Sequence, residues 1–397
     1  RVHPVTGTEQ VPLAVASGRF LAEPIIAPRP IPAHDNAAVD GYAYAWSDYD
    51  LANGSELRVD GEAAAGHPFQ GNLYPGSALR IFTGAVMPVG LDTVAMQEDV
   101  QVEEQDGQLR VLVPPGLQAG SNRRLAGEDT MPGSTLVTPE ARLRPQDVAS
   151  AAATGLGTIL CHAPLKVAVF STGDEILRPG EAFVDGKVYD ANAPMLHGLV
   201  ATTGAEAVDL GVLPDTRSSV IAALSAAAET FDAIVISGGA SQGQEDHVVA
   251  GIDAIGQRHL WQIAIKPGRP MSFGQIGDCV VLGLPGNPVA VFVCFLIYVR
   301  PVLTRLAGGE WPEPTRFPVV SNFTQKKKAG RREFWRARLL HENGRLLVSK
   351  FARDGSGLIS SLREADGLIE VGEDVDAVLS GELVNFIPFS ELGLGQP

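Results

Sequence analysis

The sequence has few cysteines, and they form no recognisable pattern. Among its 397 residues are three cysteines, Cys161, Cys279 and Cys294, which are widely spaced and odd in number. Without a C-x-x-C pair, the sequence indicates neither a disulfide framework nor a zinc site. A reducing, cytoplasmic location fits this composition best.

The sequence also lacks an excess of positive charge. Lys and Arg number 31 against 46 Asp and Glu, which gives a formal net charge of −15 and an isoelectric point of about 5.0. This balance argues against nucleic acid and an anionic membrane as general partners. An anionic substrate would therefore need a local basic site.

Long apolar runs are missing as well. The longest, residues 289–299, lies between Pro288 and Arg300, and it is well short of the roughly 20 residues that a membrane-spanning helix needs. We predict a buried helix here. The opening RVHPVTGTEQ has neither an initiator Met nor the apolar segment of a signal peptide, so we expect a few N-terminal residues to be missing.

Between about residues 165 and 307, predicted strands alternate with predicted helices. The strands are predicted at 167–170, 207–213, 233–237, 260–265 and 279–283. The helices are predicted at 192–203, 216–229, 246–256 and from 288 onward. Such alternation predicts a doubly wound, mostly parallel sheet, whose ligands bind beyond the carboxyl ends of the strands.

The regions on either side of this α/β block have a different character. Residues 33–127 contain short β-like runs between Gly-, Pro- and Asp-rich turns, which indicates an all-β insertion. Residues 311–397 contain short strands separated by turns, which favours a C-terminal β-barrel. The chain is also long enough for more than one core, so we expect several domains.

The turn STGDEI follows the first predicted strand of the block. Ser171, Thr172 and Gly173 can offer hydroxyl and backbone donors. Asp174 and Glu175 can bind a cation or its water. Taken alone, this motif is a weak signal.

The segment IVISGGASQGQEDH combines a buried strand with a glycine-rich turn. Small residues at Ser237, Gly238, Gly239 and Ser241 let backbone N–H groups approach an anion, and the positive end of a helix follows. A tight connection in which Asp246 only caps that helix is an equal alternative.

Three further turns follow strands of the same block. In LPDTRSS, Asp215 is the expected helix N-cap, although a cap can also face a ligand. IAIKPGRPMSFG carries Lys266 and Arg269 in a rigid turn suited to anion recognition. LGLPGNP places Gly286 and Asn287 at a helix start, which can hold a phosphate or be a simple cap. Because these turns all follow strands of one sheet, we expect them to lie at the same edge, and this convergence favours a binding site.

The β insertion contributes two motifs that could both be ordinary turns. PAHDNAAVDGYA contains Asp35, Asn36 and Asp40, and FTGA contains Thr83 followed by Gly84.

A basic cluster stands out near the C terminus. KKKAGRREFWRAR holds seven cations from Lys326 to Arg338, with Glu333 as its lone acid. A solvated hairpin is the simplest interpretation, and nucleic-acid binding is disfavoured by the net charge.

Seven motifs together resemble the molybdopterin molybdenumtransferase family, which includes MoeA and the gephyrin E domain. They are DNAAVDGYA, FTGA, GED at 127–129, STGDE, SGGAS, IKPGRP and GLPGNP, in the family's order. The resemblance covers nearly the whole chain. It implies a connecting domain from 1–32 and 128–160, a β insertion at 33–127, a MogA-like domain at 161–310 and a barrel at 311–397.

The resemblance also implies an activity. Family members insert molybdenum from molybdate into adenylylated molybdopterin, with Mg²⁺, and release AMP as the final step of molybdenum cofactor biosynthesis. The positions that match functional family residues are Asp40, Thr83, Glu175, Asp215 and Asp246. Of these, Asp215, Asp246 and Glu175 are expected to bind Mg²⁺.

The remaining ligand-binding positions implied by the resemblance fall into two groups. The pterin and phosphate groups are expected at Ser171, Thr172, Gly173, Asp174, Ser237, Gly238, Gly239, Ser241, Arg269, Gly286 and Asn287. Molybdate is expected at Lys266, Pro267, Arg332 or Arg336, and Ser360, while the lysines of the basic cluster stay solvated. A homodimer is expected, with a MogA-type adenylyltransferase and molybdoenzymes as further partners.

The sequence departs from the family pattern at three positions. Gln262 replaces a lysine, Ala290 replaces a serine, and His247 stands where an aromatic residue is common. The first two changes remove a cation and a hydroxyl near the expected molybdate site, which leaves the preference between molybdate and tungstate open.

Two other functions remain as alternatives. A MogA-type adenylyltransferase would be a short single domain, which the flanking β regions argue against. A non-catalytic scaffold like gephyrin would be expected with a linker and a fused second domain.

Overall fold

The computed structural model describes residues 3–213, 216–238, 247–353, 355 and 357–395. Its central sheet has six strands. In chain order they are β1 (Lys166–Thr172), β2 (Glu206–Leu213), β3 (Ala233–Ser237), β4 (Gln257–Trp261), β5 (Ser272–Ile276) and β6 (Cys279–Leu284). Across the sheet the order is β2-β1-β3-β6-β5-β4. The first four strands of this order are parallel, and β5 and β4 are added by antiparallel pairing, so the predicted mostly parallel sheet is confirmed.

Both faces of this sheet are buried. Along β1, Val167 and Val169 belong to one apolar core, whereas Ala168 and Phe170 belong to another. Because successive side chains of a strand point to opposite faces, helices must cover both sides. These helices are Asn192–Ala201, Arg217–Ala228, His247–Ile255 and Pro288–Leu306.

The last of these helices is the most apolar. It consists of Pro288–Cys294 and Arg300–Leu306, joined by the π-helical turn Phe295–Val299. Its length and mean hydropathy of 1.9 would suffice to cross a membrane, but 78% of its apolar window is buried inside the protein. The prediction of a buried core helix is therefore confirmed.

The sequence prediction is wrong at one edge of the sheet. The single strand predicted over 260–265 is two strands, because Gln262 adopts a φ of 63° and ends β4, and Ile265–Lys266 pairs elsewhere. Strand β5, over Ser272–Ile276, falls where the sequence predicts a turn. It forms a hairpin with β6 around Gly277, whose φ is 58°.

The β insertion is built on its own six-stranded sheet. In order across the sheet, its strands are Thr93–Met96, Gly41–Tyr44, Ser77–Ile81, Ser55–Ala63, Gln108–Val113 and Gln101–Gln105. Neighbouring residues Leu79 and Ala78 belong to two different apolar clusters. This sheet is therefore also covered on both faces.

A smaller region connects the insertion to the central sheet. Its pairs of strands are Thr8–Pro12 with Thr158–His162, Ile25–Ile26 with Thr135–Val137, and Asn36–Ala37 with Arg123–Arg124. Its helix, Pro145–Ala153, is followed by Gly155 with a φ of 86°. The shorter elements here and in the central region are Leu13–Val15, Trp46–Asp48, Ile176–Leu177 and Val188–Tyr189.

The C-terminal region forms the predicted β-barrel. Its five strands are Phe317–Ser321, Arg332–Glu342, Arg345–Lys350, Gly367–Val371 and Leu383–Pro388. Arg332–Glu342 pairs with both Arg345–Lys350 and Gly367–Val371, and pairing around Phe317–Ser321 and Leu383–Pro388 closes the barrel. The small additional elements are Gln325–Lys326, Ala377–Val378, Ser360–Arg363 and Phe389–Leu392.

A two-strand pairing joins the barrel to the central region. Ile265–Lys266 runs parallel to the start of the long barrel strand, with Ile265 opposite Arg332 and Lys266 opposite Glu333. Backbone hydrogen bonds therefore fix the turn that carries Lys266 to the barrel. The same turn is connected to the central sheet through the chain on either side of it.

Candidate functional site

The ends of β1 and β3 meet at the carboxyl edge of the central sheet. Ser171 and Ser237 lie opposite each other in the parallel ladder, and their buried hydroxyl oxygens are 3.3 Å apart. Gly238 follows with a φ of 99°. A Cβ atom on Gly238 would lie 2.4 Å from the Thr172 carbonyl oxygen, so this close approach of two backbone segments requires glycine.

The acidic turn after β1 lies beside this glycine. Gly173 has a φ of 134°, and a Cβ atom there would lie 2.5 Å from the Glu175 carboxylate. Asp174 and Glu175 are both exposed. The turn therefore presents oxygen ligands to solvent at the edge where the parallel strands end.

The GLPGNP turn reaches the same edge. Gly286 packs against Gly238, since a Cβ atom on Gly286 would lie 3.7 Å from the Gly238 Cα. Asn287 precedes the helix Pro288–Cys294 and is exposed, and within the described part of the chain its side chain makes no capping hydrogen bond. Two of the predicted turns are thus in contact.

Asn192 is a residue that the sequence interpretation misses. Its side-chain amide donates to the Gly286 carbonyl at 2.7 Å. The Asp190 carboxylate accepts hydrogen bonds from the backbone N–H groups of Asn192 and Ala193, and it pairs with Arg178 at 3.0 Å. This network fixes the GLPGNP turn to the start of a neighbouring helix. The D-x-N pattern immediately before a helix was the available sequence signal.

Four expected site residues, Asp215, Gly239, Ser241 and Asp246, lie outside the described residues. The neighbouring helices do allow one correction. The N-cap assigned to Asp215 is instead Thr216, whose hydroxyl accepts a hydrogen bond from the Ser219 backbone N–H.

A small pocket opens beside this edge, between the central region and the barrel. It has a volume of about 30 Å³, which is room for a few small polar atoms. The described residues that line it are Lys266, Pro267, Val289, Phe334, Trp335, Arg336, Lys350 and Phe351. Val289 belongs to the helix that starts at the GLPGNP turn, so the pocket adjoins the glycine-rich edge.

The two candidate arginines have different surroundings. Arg336 is buried and lines the pocket, and its guanidinium donates to the carbonyls of Gly355 and Arg353 at 3.0 and 3.1 Å. Arg332 instead pairs with Glu370 at 2.8 Å and with Glu373 at 3.1 Å. Of the two, Arg336 is the one placed at the pocket.

Lys266 and Glu333 lie side by side across the joining strands. The Lys266 ammonium is 3.8 Å from the Glu333 carboxylate. Glu333 is buried and accepts hydrogen bonds from Arg331 and from the indole of Trp335, each at 2.8 Å. The lone acid of the basic cluster therefore lies against the pocket wall.

Two further predicted ligand-binding residues lie outside this pocket. Ser360 is exposed at the first position of Ser360–Arg363. Arg269, which was expected at the pterin and phosphate groups, is exposed in the turn after Lys266. Neither is among the described residues that line the pocket.

The expectation that the cluster lysines stay solvated is wrong for Lys327. Its ammonium donates to the carbonyls of Gly372 at 2.7 Å and Val375 at 2.9 Å. This lysine holds a barrel loop, because three donors on one head group can bridge several carbonyls.

The two motifs of the β insertion lie together. The backbone N–H and hydroxyl of Thr83 donate to the Asp40 carboxylate at 2.8 and 2.7 Å, and these bonds hold the pKa of Asp40 below its usual 3.8. Asn36 donates to the Gly84 carbonyl at 2.7 Å. Among the described residues, no hydrogen bond or ion pair connects Asp40 or Thr83 to the central sheet edge.

Comparison with protein families gives three matches along the chain. Residues 1–155 match the MoeA N-terminal region (domains I and II), residues 168–305 a probable molybdopterin binding domain, and residues 319–389 the MoeA C-terminal region (domain IV).

Similar individual proteins span nearly the whole chain. The molybdopterin molybdenumtransferase of Haemophilus influenzae is 37% identical over 389 residues, covering 98% of this chain and 95% of its own. The corresponding protein of Nostoc sp. is 32% identical and covers 98% and 84%. The crystal structure of the MoeA protein of molybdopterin biosynthesis from Pyrococcus horikoshii superimposes with a TM-score of 0.81 at 31% identity, covering 98% and 96%.

Proposed function

The chain belongs to the molybdopterin molybdenumtransferase family, and we propose that it inserts molybdenum from molybdate into adenylylated molybdopterin and releases AMP. This would be the final step of molybdenum cofactor biosynthesis, carried out in the cytoplasm. The observation that carries the proposal is the contact between the Gly238 and Gly286 turns beside a pocket lined by Lys266 and Arg336. A site for phosphates and pterin thus adjoins a site for an oxyanion.

The glycine-rich edge is suited to the adenylylated pterin. Gly238 lets two backbone segments approach closely, and the position beside Gly286 has room for a ligand, since among the described residues the nearest atom from elsewhere in the chain would lie 3.7 Å from a Cβ atom there. Backbone N–H groups exposed at such a turn favour anions. Ser171, Thr172 and Ser237 add hydroxyl groups at the ends of the strands. In this proposal they hold the phosphates while Asn287 contributes an exposed amide.

Mg²⁺ fits the donors available at this edge. Glu175 presents an exposed carboxylate against the Gly173 backbone, and hard oxygen ligands are those that Mg²⁺ prefers. We propose Asp215, Asp246 and Glu175 as its ligands. When bound, the ion would neutralise charge on the phosphate oxygens.

The basic pocket is suited to molybdate. Lys266 supplies an ammonium and Arg336 a guanidinium, whose fixed donors match a tetrahedral oxyanion. Phe334, Trp335 and Phe351 add aromatic side chains to the pocket wall. In this proposal the protein orients molybdate next to the pterin and leaves the sulfur chemistry to the substrate.

We further propose that the active unit is an elongated homodimer of four-domain subunits, with the boundaries expected from the sequence. Asp40 and Thr83 match functional family positions, yet among the described residues of one subunit no hydrogen bond or ion pair joins them to the sheet edge. A cleft between the central domain of one subunit and the β insertion of its partner would bring them to the substrate.

The test is incubation with adenylylated molybdopterin, Mg²⁺ and molybdate, followed by measurement of AMP. The proposal expects AMP release that depends on molybdate. Adenylylation of molybdopterin from ATP would identify the adenylyltransferase alternative, and pterin binding without turnover would identify a scaffold. Either result would overturn the proposed insertion activity.

A further inference from the structure

Glu333 is a buried carboxylate at the wall of a pocket that we assign to an anion. Its side chain is only 3% exposed. One oxygen accepts from the Arg331 guanidinium, and the other accepts from the Trp335 indole N–H, each at 2.8 Å. A buried carboxylate that accepts a hydrogen bond on each oxygen is held firmly in one position.

A further cation, Lys266, lies near the same carboxylate. The distance of 3.8 Å between the Lys266 ammonium and the Glu333 carboxylate is within ion-pair range but too long for a hydrogen bond. The Lys266 side chain is 40% exposed and lines the pocket. Its ammonium is therefore within reach of both the carboxylate and an anion in the pocket.

We propose that Glu333 is a positioning residue that competes with the bound oxyanion for Lys266, and thereby lowers the affinity of the pocket for the oxyanion. The inference rests on the proposed function of this pocket as the molybdate site. Three cations, Lys266, Arg336 and Lys350, line the pocket. If Glu333 did not oppose it, the Lys266 ammonium would hold a dianion more strongly in the ground state, which would oppose transfer of the dianion to the second substrate.

The direction of the change in oxyanion affinity on neutralising Glu333 distinguishes this role from mere support of the fold. Replacing Glu333 by Gln keeps an oxygen that can accept from Trp335 but removes the negative charge. If Glu333 competes for Lys266, the neutral variant binds the oxyanion more tightly. If Glu333 only supports the pocket wall, its loss weakens binding.

The experiment measures binding of molybdate alone to the full-length Glu333→Gln variant by isothermal titration calorimetry. Because Lys266 is partly exposed and screened by solvent, we expect a moderate effect, a dissociation constant about three- to ten-fold lower than that of the wild type. The molybdate concentration for half-maximal AMP release should fall in parallel, without an increase in kcat. Unchanged or weaker binding overturns the inference.

Glu370→Gln is the matched control. Glu370 is also a nearly buried barrel carboxylate, with an 8% exposed side chain, but the ion pairs it forms are with Arg316 and Arg332, which lie outside the described residues that line the pocket. Its neutralisation should leave the dissociation constant for molybdate unchanged. Tighter binding in both variants would mean a general charge effect and would also overturn the inference.

A second variant keeps the inference testable if Glu333→Gln does not fold. Arg331 has a 38% exposed side chain and pairs with the Glu333 oxygen other than the one nearest Lys266, so Arg331→Gln should strengthen the competition. We expect molybdate binding at least about three-fold weaker than in Lys328→Gln, which removes the same charge from an exposed position. Equal binding by these two variants overturns the inference.

Molybdate-dependent AMP release by the wild type would still stand in that case, so failure of the inference is distinguishable from failure of the proposed function.

Discussion

Single residues of the basic cluster differ sharply in their surroundings. Arg336 is buried at the pocket with two backbone carbonyls as partners, whereas Arg332 is neutralised by two carboxylates. Lys327 bridges carbonyls of a barrel loop. The cluster is therefore not one solvated surface, and its members should be tested one at a time.

Arg336→Lys should raise the molybdate concentration for half-maximal AMP release by about ten-fold, because one ammonium cannot reproduce the paired donors of a planar guanidinium. The matched Arg332→Lys change should alter it less than about two-fold, since that side chain is committed to Glu370 and Glu373. Melting temperatures of both variants check the fold. Equal effects of the two changes would remove Arg336 from the proposed site.

Asp246→Ala should reduce AMP release by about 100-fold or more while leaving the melting temperature nearly unchanged, because a metal-binding carboxylate contributes mainly to the reaction. The residue lies outside the described residues, and its role is inferred from the resemblance. Asp253→Ala is the control, since Asp253 lies on the helix that follows and pairs with Arg258 at 3.0 Å. Normal turnover of the Asp246 variant would leave it as a helix cap only.

At the scale of elements, local sequence predicts the parallel strands well. Strands β1, β3 and β6 are continuous apolar runs that end at polar turns, so they are identifiable from the sequence within a few residues. Strand β5 is missed because glycine and polar residues interrupt its apolar pattern. The pairing of Ile265–Lys266 with the barrel cannot be predicted from local sequence patterns, since the partner strand is distant in the chain.

The residues of the candidate site also differ in whether the local sequence predicts them. Turns such as those at Gly238 and Gly286 are predictable because each follows a strand directly. The sequence does not identify Trp335, Lys350 and Phe351 as pocket residues, because each belongs to a barrel strand or its end. They line the same pocket as Lys266 only when the barrel is folded. Their role depends on tertiary pairing and has no local sequence signal.

Gly238→Ala should destabilise the protein by about 2–4 kcal/mol, because the new methyl group would meet the Thr172 carbonyl and the backbone is left-handed there. Gly211→Ala is the matched control, with a φ of 89° and open space around its Cβ position. It should cost about 1 kcal/mol from backbone strain alone. Urea denaturation measures both, and equal losses would mean that the close approach at Gly238 is not rigid.

At the scale of the whole molecule, the placement of proposed site residues in both the β insertion and the central region leads to a test of assembly. Asp40→Ala and Asp246→Ala subunits should each be inactive as homodimers. Co-expressed in equal amounts, they should regain about a quarter of wild-type AMP release, because half of the dimers would be mixed and each would hold one intact site of two. Failure to complement, or a fully active monomer by small-angle scattering, would contradict the dimeric site.

The backbone pairing between Ile265–Lys266 and the start of the long barrel strand also has a consequence for synthesis of the protein. The long strand is held in the barrel by Gly367–Val371, which in turn pairs with Leu383–Pro388. A nascent chain still lacking those last strands could fold its central sheet on the ribosome, but it would have no closed wall opposite Lys266. Under the proposed function, the ability to bind an oxyanion would therefore arise only after translation of the barrel is complete.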